Sequence, residues 1–63
     1  MKLKDLIKLM KPGVDVLITY PTVGATITVR TKIGSNNEVL EPYLDYEIVN
    51  VSKTHHYIAI DII

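Results

Sequence analysis

Arg30 and Lys32, two positions apart at the end of an alternating run, and the tyrosines Tyr20, Tyr43, Tyr46 and Tyr57 are the side chains best suited to hold a ligand. A guanidinium can grip a phosphate through two parallel hydrogen bonds, and a tyrosine ring can cover a base. Arg30, Lys32, Tyr20 and Tyr57 are therefore the candidate ligand-binding residues. Arg30 and Lys32 stand just before the polar run Gly34-Ser-Asn-Asn37, read as a mobile loop. No glycine-rich phosphate cradle accompanies them. The plainer alternative is that two or three of the tyrosines belong to the core or its rim.

His55 and His56 are the next group to weigh. Neighbours on a strand point to opposite faces, so the pair cannot serve one metal or act as one base. They read as a turn residue and the start of a strand. The chain contains no HExxH, CxxC, GxxxxGK[ST] or GxSxG pattern. Glu38/Glu41 and Asp45/Glu47 pair carboxylates only within polar stretches, in a chain too short to wall off a cleft. No catalytic residue, metal site or cofactor is expected, and the chain does not read as an enzyme.

The 63 residues make a single domain, 1–63. Domains of about 60 residues bury only about 60% of their unfolded surface and usually need a supplement. With no cysteine, disulfides are excluded, which leaves self-association as the expected supplement. Seven basic and seven acidic side chains give a formal charge of zero, against the strong basicity of a general nucleic-acid binder. Charge is segregated: Lys2, Lys4, Lys8 and Lys11 near the start, and Glu38, Glu41, Asp45, Glu47 and Asp61 in the second half. Two solvated faces that attract weakly explain this. No apolar run has the length of a signal peptide core or a membrane span, so a cytoplasmic protein is expected.

Residues 2 to 11 predict a short amphipathic helix, with Leu3, Leu6, Ile7 and Met10 in one stripe and Pro12-Gly13 as the stop. Val14 to Tyr20 and Ala25 to Arg30 predict a hairpin around the turn Pro21-Thr-Val-Gly24. Val39 to Leu44 reads as one helical turn or an ordered crossover. Tyr46 to Ser52 and His56 to Ile62 predict a second hairpin, turned at Lys53 to His55, whose last strand ends inside the core. The fold class is α+β: an N-terminal helix packed on a four-stranded, mainly antiparallel sheet, with a short helical crossover.

One sheet face collects Val14, Val16, Ile18, Ala25, Ile27, Val29, Ile58, Ile60 and Ile62, which the helix stripe covers. The third strand reads as apolar on both faces, Tyr46 and Ile48 against Val49 and Val51. The second face also carries Leu17, Tyr57, Ala59 and Ile63. One helix cannot cover two faces, so Leu17, Val49, Val51 and Ile63 are candidate interface residues in a homo-oligomer. On this reading Val51→Asp would unfold or dissociate the protein.

The opening Met1–Met10, Pro12, Val-Asp-Val-Leu-Ile18, Leu44–Val51 and the terminal Tyr-Ile-Ala-Ile-Asp-Ile stretch resemble small phage and prophage proteins of Gram-positive bacteria. The resemblance spans most of the chain and brings no catalytic motif. It implies a place in counter-defence, inside the bacterial host. The leading expectation is a non-enzymatic protein that sequesters a small nucleotide-derived signal at a subunit interface. The alternatives are an inhibitor that binds a host defence protein, and a structural or accessory phage protein.

Overall fold

The computed structural model describes residues 1–34 and 37–63. The chain is an α+β domain: helix α1 (Leu3–Leu9), strands β1 (Asp15–Thr22) and β2 (Ala25–Lys32), a 3-10 helix (Asn37–Tyr43), then β3 (Ile48–Lys53) and β4 (Ile58–Ile62). Ser35 and Asn36, the middle of the expected polar loop, lie outside the described residues.

The four strands form one sheet in the order β2-β1-β4-β3. Both hairpins are antiparallel, and β1 runs parallel to β4. The two central strands are the ones whose alternate residues are most uniformly aliphatic. Val16 and Ile18 on β1, with Ile60 and Ile62 on β4, are fully or almost fully buried. Leu3, Ile33 and Leu40 complete the buried core from the helix, the end of β2 and the 3-10 helix. Leu6, Ile7 and Met10 pack against it, as the stripe requires.

Local chemistry sets the element ends. At the start of α1 the Lys2 backbone N–H donates to Asp5 Oδ2 at 3.2 Å, and Asp5 lies in the first turn, where a negative charge suits the helix dipole. The helix is shorter than the expected 2–11, because Met10 is already extended and Lys11 precedes proline. The first hairpin turns on Val23-Gly24 alone, since Thr22 still pairs with Ala25. Gly24 has φ +80 and no described non-glycine residue has positive φ, which is the sign pattern of a type II turn. Gly34 has φ +89, in the left-handed region, and a Cβ there would stand 3.1 Å from the Pro12 Cβ, so a side chain would be strained and would press on the linker after α1.

Strand β3 corrects the facial reading. Ile48 pairs with Ile62, Asn50 with Asp61 and Val51 with Ile60, with a register shift between Ile48 and Asn50. Residues directly opposite share a face. Ile48 and Val51 therefore both look toward the helix, while Asn50 and Ser52 look away, and Asn50 Nδ2 donates to Asp61 Oδ2 at 3.5 Å. The strand is not apolar on both faces, because the bulge at Val49 resets the alternation. The second sheet face carries Leu17 and Ala59 among threonines, Arg30, Lys32, Asp15, Asp61, Asn50 and Ser52.

These placements separate two kinds of apolar residue. Ile60→Ala should cost about 2–5 kcal/mol and Ile60→Val about 0.5–1.5 kcal/mol in urea denaturation. Val51 is 48% exposed, so Val51→Asp should be tolerated in the isolated chain. A loss from Val51→Asp as large as that from Ile60→Ala would contradict the bulged register.

Candidate functional site

The outer sheet face brings three of the four candidate ligand residues together. Register pairs Leu17 with Arg30 and Asp15 with Lys32 on one side of β1, and Val16 with Ile58 on the other. Tyr57, one residue before Ile58, thus reaches the outer face beside Asp15. The Arg30 guanidinium carbon stands 5.3 Å from the Tyr57 ring centroid, and Arg30 Nη2 lies 4.0 Å from Asp15 Oδ2. The cation is held between a ring and a carboxylate, with 56% of its side chain exposed. A cation–π contact at such a site contributes about 0.5–1 kcal/mol. Asp15 touches the guanidinium only at ion-pair range, so the N–H donors of Arg30 are not committed to it. Lys32 is exposed on the same face.

Sequence reasoning missed Asp15. A two-residue turn at Val23-Gly24 places Asp15 opposite Lys32 by counting back from the turn, so the signal lay in the hairpin register.

Tyr20 lies elsewhere. It shares its face with Val16 and Ile18 and joins Tyr43 and Tyr46 on the helix side of the sheet. Ring centroids are 4.8 Å apart for Tyr20 and Tyr46, 5.9 Å for Tyr43 and Tyr46, and 6.0 Å for Tyr20 and Tyr43. Three tilted or edge-on rings make a packed rim of the core. The Tyr46 hydroxyl is held above the ordinary tyrosine range, first by hydrogen bonding with Tyr20 and then by the charge Tyr20 would carry on ionising. Beside the rim in sequence, Asp45 Oδ1 meets Lys4 Nζ of α1 at 3.1 Å, and the ammonium holds that carboxyl below its usual range.

The β3–β4 turn closes on Thr54. Its Oγ1 accepts from the backbone N–H of His56 at 3.3 Å and of Tyr57 at 3.1 Å, while its own N–H donates to the Tyr57 carbonyl at 2.9 Å. His55 and His56 are both exposed at the tip. A shallow cleft of about 300 Å3 runs from this turn to the sheet end, lined by Lys53, Thr54, His55, His56, Tyr57 and Asp15 among others. Val14 and Ile58, which pack against the core, also line it; Arg30 and Lys32 do not, and it meets the Arg30–Tyr57 pair through Tyr57 and Asp15. Among the described residues, no group of three or more His, Cys, Asp or Glu side chains is placed to hold a metal ion.

The candidate interface residues are scattered. Leu17 is half-buried beneath its outer-face neighbours, Val49 sits exposed in the bulge, Val51 lies on the helix side of an edge strand, and Ile63 is exposed at the end of the chain. No helix among the described residues is long and apolar enough to cross a membrane. The fold and site together define a small α+β domain whose sheet is covered on one side over the central strands β1 and β4, while Ala25 and Ile27 of β2, expected under the helix, stay exposed there, and whose other side is open. Compared with known proteins, the chain matches no family model, no curated protein and no solved structure.

Two outcomes follow from this geometry. Tyrosine absorbance titration should show one group ionising later than the ordinary value near 10, and Tyr20→Phe should move it back. The folded state keeps this proton longer than the unfolded chain does. The corresponding stability is present in full below about pH 10 and is lost as pH rises from there through the raised Tyr46 value. At the turn, joint replacement of His55 and His56 by Asn should change stability by no more than about 0.5 kcal/mol. Thr54→Ala should cost about 1 kcal/mol, measured by the same denaturation curve.

Proposed function

We propose that this chain is a non-enzymatic binding protein that holds a small nucleotide-like anion on the open sheet face. The observation that carries the reading is the Arg30 guanidinium poised over the Tyr57 ring, next to a cleft. Arg30 and Lys32 supply charge-assisted donors for a phosphate, and Tyr57 supplies a ring on which a base can stack. The cleft volume is at the low end of small-ligand sites. Asp15 is already beside Arg30, so a bound phosphate would compete with a carboxylate for the guanidinium.

Sequestration, rather than turnover, is the role that fits a surface site without a nucleophile–base pair. Its counter-defence setting inside a bacterial host is part of the same proposal and rests on the resemblance to small phage proteins alone. A second reading, inhibition of a host protein through direct contact, is favoured by the exposed Val49, Val51 and Ile63 near the β3 side of the sheet.

Titration calorimetry against linear and cyclic nucleotides tests the first reading. Binding tighter than about 100 µM is expected for at least one of them. Arg30→Ala should weaken it roughly 10- to 150-fold, the loss of one charge-assisted contact of about 1.5–3 kcal/mol. Tyr57→Ala should weaken it as well, and Tyr20→Phe should not. If no nucleotide binds, the protein-contact reading takes its place. Tight binding that ignores Arg30, Lys32 and Tyr57 would leave the function standing and move the site.

A further inference from the structure

The two edges of the sheet are treated differently. On the outer edge of β3, the first residues of the chain run antiparallel to its start. The Ile48 N–H donates to the Met1 carbonyl and the Leu3 N–H to the Tyr46 carbonyl, both at 2.9 Å, and Lys2 forms a bridge with Glu47. The bulge at Val49 and Lys53 at the far end disrupt what remains of that edge. Covering, bulging and a terminal lysine are standard ways to keep an edge from pairing.

Strand β2 also ends in a lysine, Lys32, with Arg30 two residues before it, but it has no bulge, and no backbone segment among the described residues pairs with its outer edge. It runs for eight residues, Ala25–Lys32, pairs with β1 without a register shift, and contains neither proline nor glycine. The pairing across the Val23-Gly24 turn makes Thr22 and Ala25 a hydrogen-bonded pair, so Ala25, Ile27, Val29 and Thr31 turn their backbone groups to β1. The bond from the Ile33 N–H to the Val14 carbonyl, 2.9 Å, continues that parity, and Pro21, which has no N–H, falls at a position that needs none. Thr26, Thr28, Arg30 and Lys32 therefore present their N–H and C=O groups outward from the sheet.

We infer that β2 pairs with β2 of a second copy, antiparallel about a two-fold axis at Thr28, to make one continuous eight-stranded sheet. A two-fold normal to the sheet keeps each face, so only residues of equal parity can meet. With Thr28 opposite Thr28, Arg30 faces Thr26 and Ile27 faces Val29 of the other copy. Three outward pairs, with two bonds each, give about six new backbone hydrogen bonds. Ile27, 39% exposed in the single chain, gains an apolar neighbour on the covered side. No like charges stand directly opposite: the two Arg30 side chains are four residues apart along the joint, roughly 14 Å. An axis at Arg30 would instead set guanidinium against guanidinium. The strand thus complements itself in charge, in length and in apolar pairing, which selects a second copy as its partner. The inference does not depend on a ligand.

Sedimentation equilibrium at roughly 100 µM should give twice the 7.1 kDa chain mass. Thr28→Pro removes an N–H that β1 does not use, so it should leave the circular dichroism spectrum unchanged and give a monomer. Thr28→Lys, which opposes like charges on the axis, should do the same. In the cysteine-free background, Thr28→Cys should cross-link to dimer under mild oxidation, because a hydrogen-bonded pair sets the Cα atoms about 5.5 Å apart. A wild-type monomer would overturn the inference, as would a dimer that survives both Thr28→Pro and Thr28→Lys. A dimer in which Thr28→Cys fails to cross-link would overturn the two-fold at Thr28.

Discussion

Val16 and Ile18 meet Ile58 and Ile60 across the parallel pairing of β1 and β4, two strands from nearly opposite ends of the chain. Apart from the bridge of the first residues to the start of β3, the remaining strand pairing is local by comparison. Each hairpin joins strands separated by a short turn, and neither hairpin alone buries enough apolar surface to persist in water. The β1–β4 seam joins them and forms the floor on which Leu3 and Leu40 close the core. Its cost is the entropy of closing the long connection from β2 through the 3-10 helix to β3. That cost grows only slowly with loop length, whereas the seam brings together most of the fully buried side chains.

The seam also explains why the two sheet faces differ. Alternation sends Val16, Ile18, Ile60 and Ile62 to one side, and that side receives α1, the 3-10 helix and the tyrosine rim. The same alternation sends Asp15, Leu17, Thr19, Ala59 and Asp61 to the other. These outer residues are only half-exposed, since neighbouring strands shield them. Antiparallel hairpins tolerate a wetted face in a way that a wholly parallel sheet does not. The open face is thus a product of the topology and can carry a site without weakening the core.

Alternation made the strands legible, and the stripe Leu3, Leu6, Ile7, Met10 made the helix legible, because each pattern records a burial requirement. The Leu40, Tyr43, Leu44 spacing likewise marked a helical turn whose Leu40 is fully buried. The separation of Tyr20 from Arg30 was also readable: Tyr20 alternates with the core residues of β1, and Arg30 alternates against those of β2. The bulge at Val49 was not readable. It falls in Ile48-Val-Asn-Val51, where no glycine or proline marks it, and shifting parity there exchanges an apolar second face for a polar one. The parallel partnership of β1 and β4 was hidden for another reason. Strand alternation states that a strand has an inner face, and says nothing of which strand lies beside it.

Electrostatics limit what the open face can attract. The chain has no formal net charge, so nothing steers an anion to it over long range, and beyond about 8–10 Å salt screens the remainder. Local charge has to do the selecting. Around the β1–β2 end, Arg30 and Lys32 outnumber Asp15, leaving one positive charge close to the Tyr57 ring. Asp15 sits near enough to Arg30 to bias its position and far enough to leave the guanidinium donors open. A ligand carboxylate would offer Arg30 little beyond what Asp15 already offers. A phosphate brings more charge and a third oxygen, which Lys32 on the same face could meet. In the proposed binding, then, Asp15 acts as a competing anion built into the face, and it raises the charge a ligand must carry before exchange is favourable.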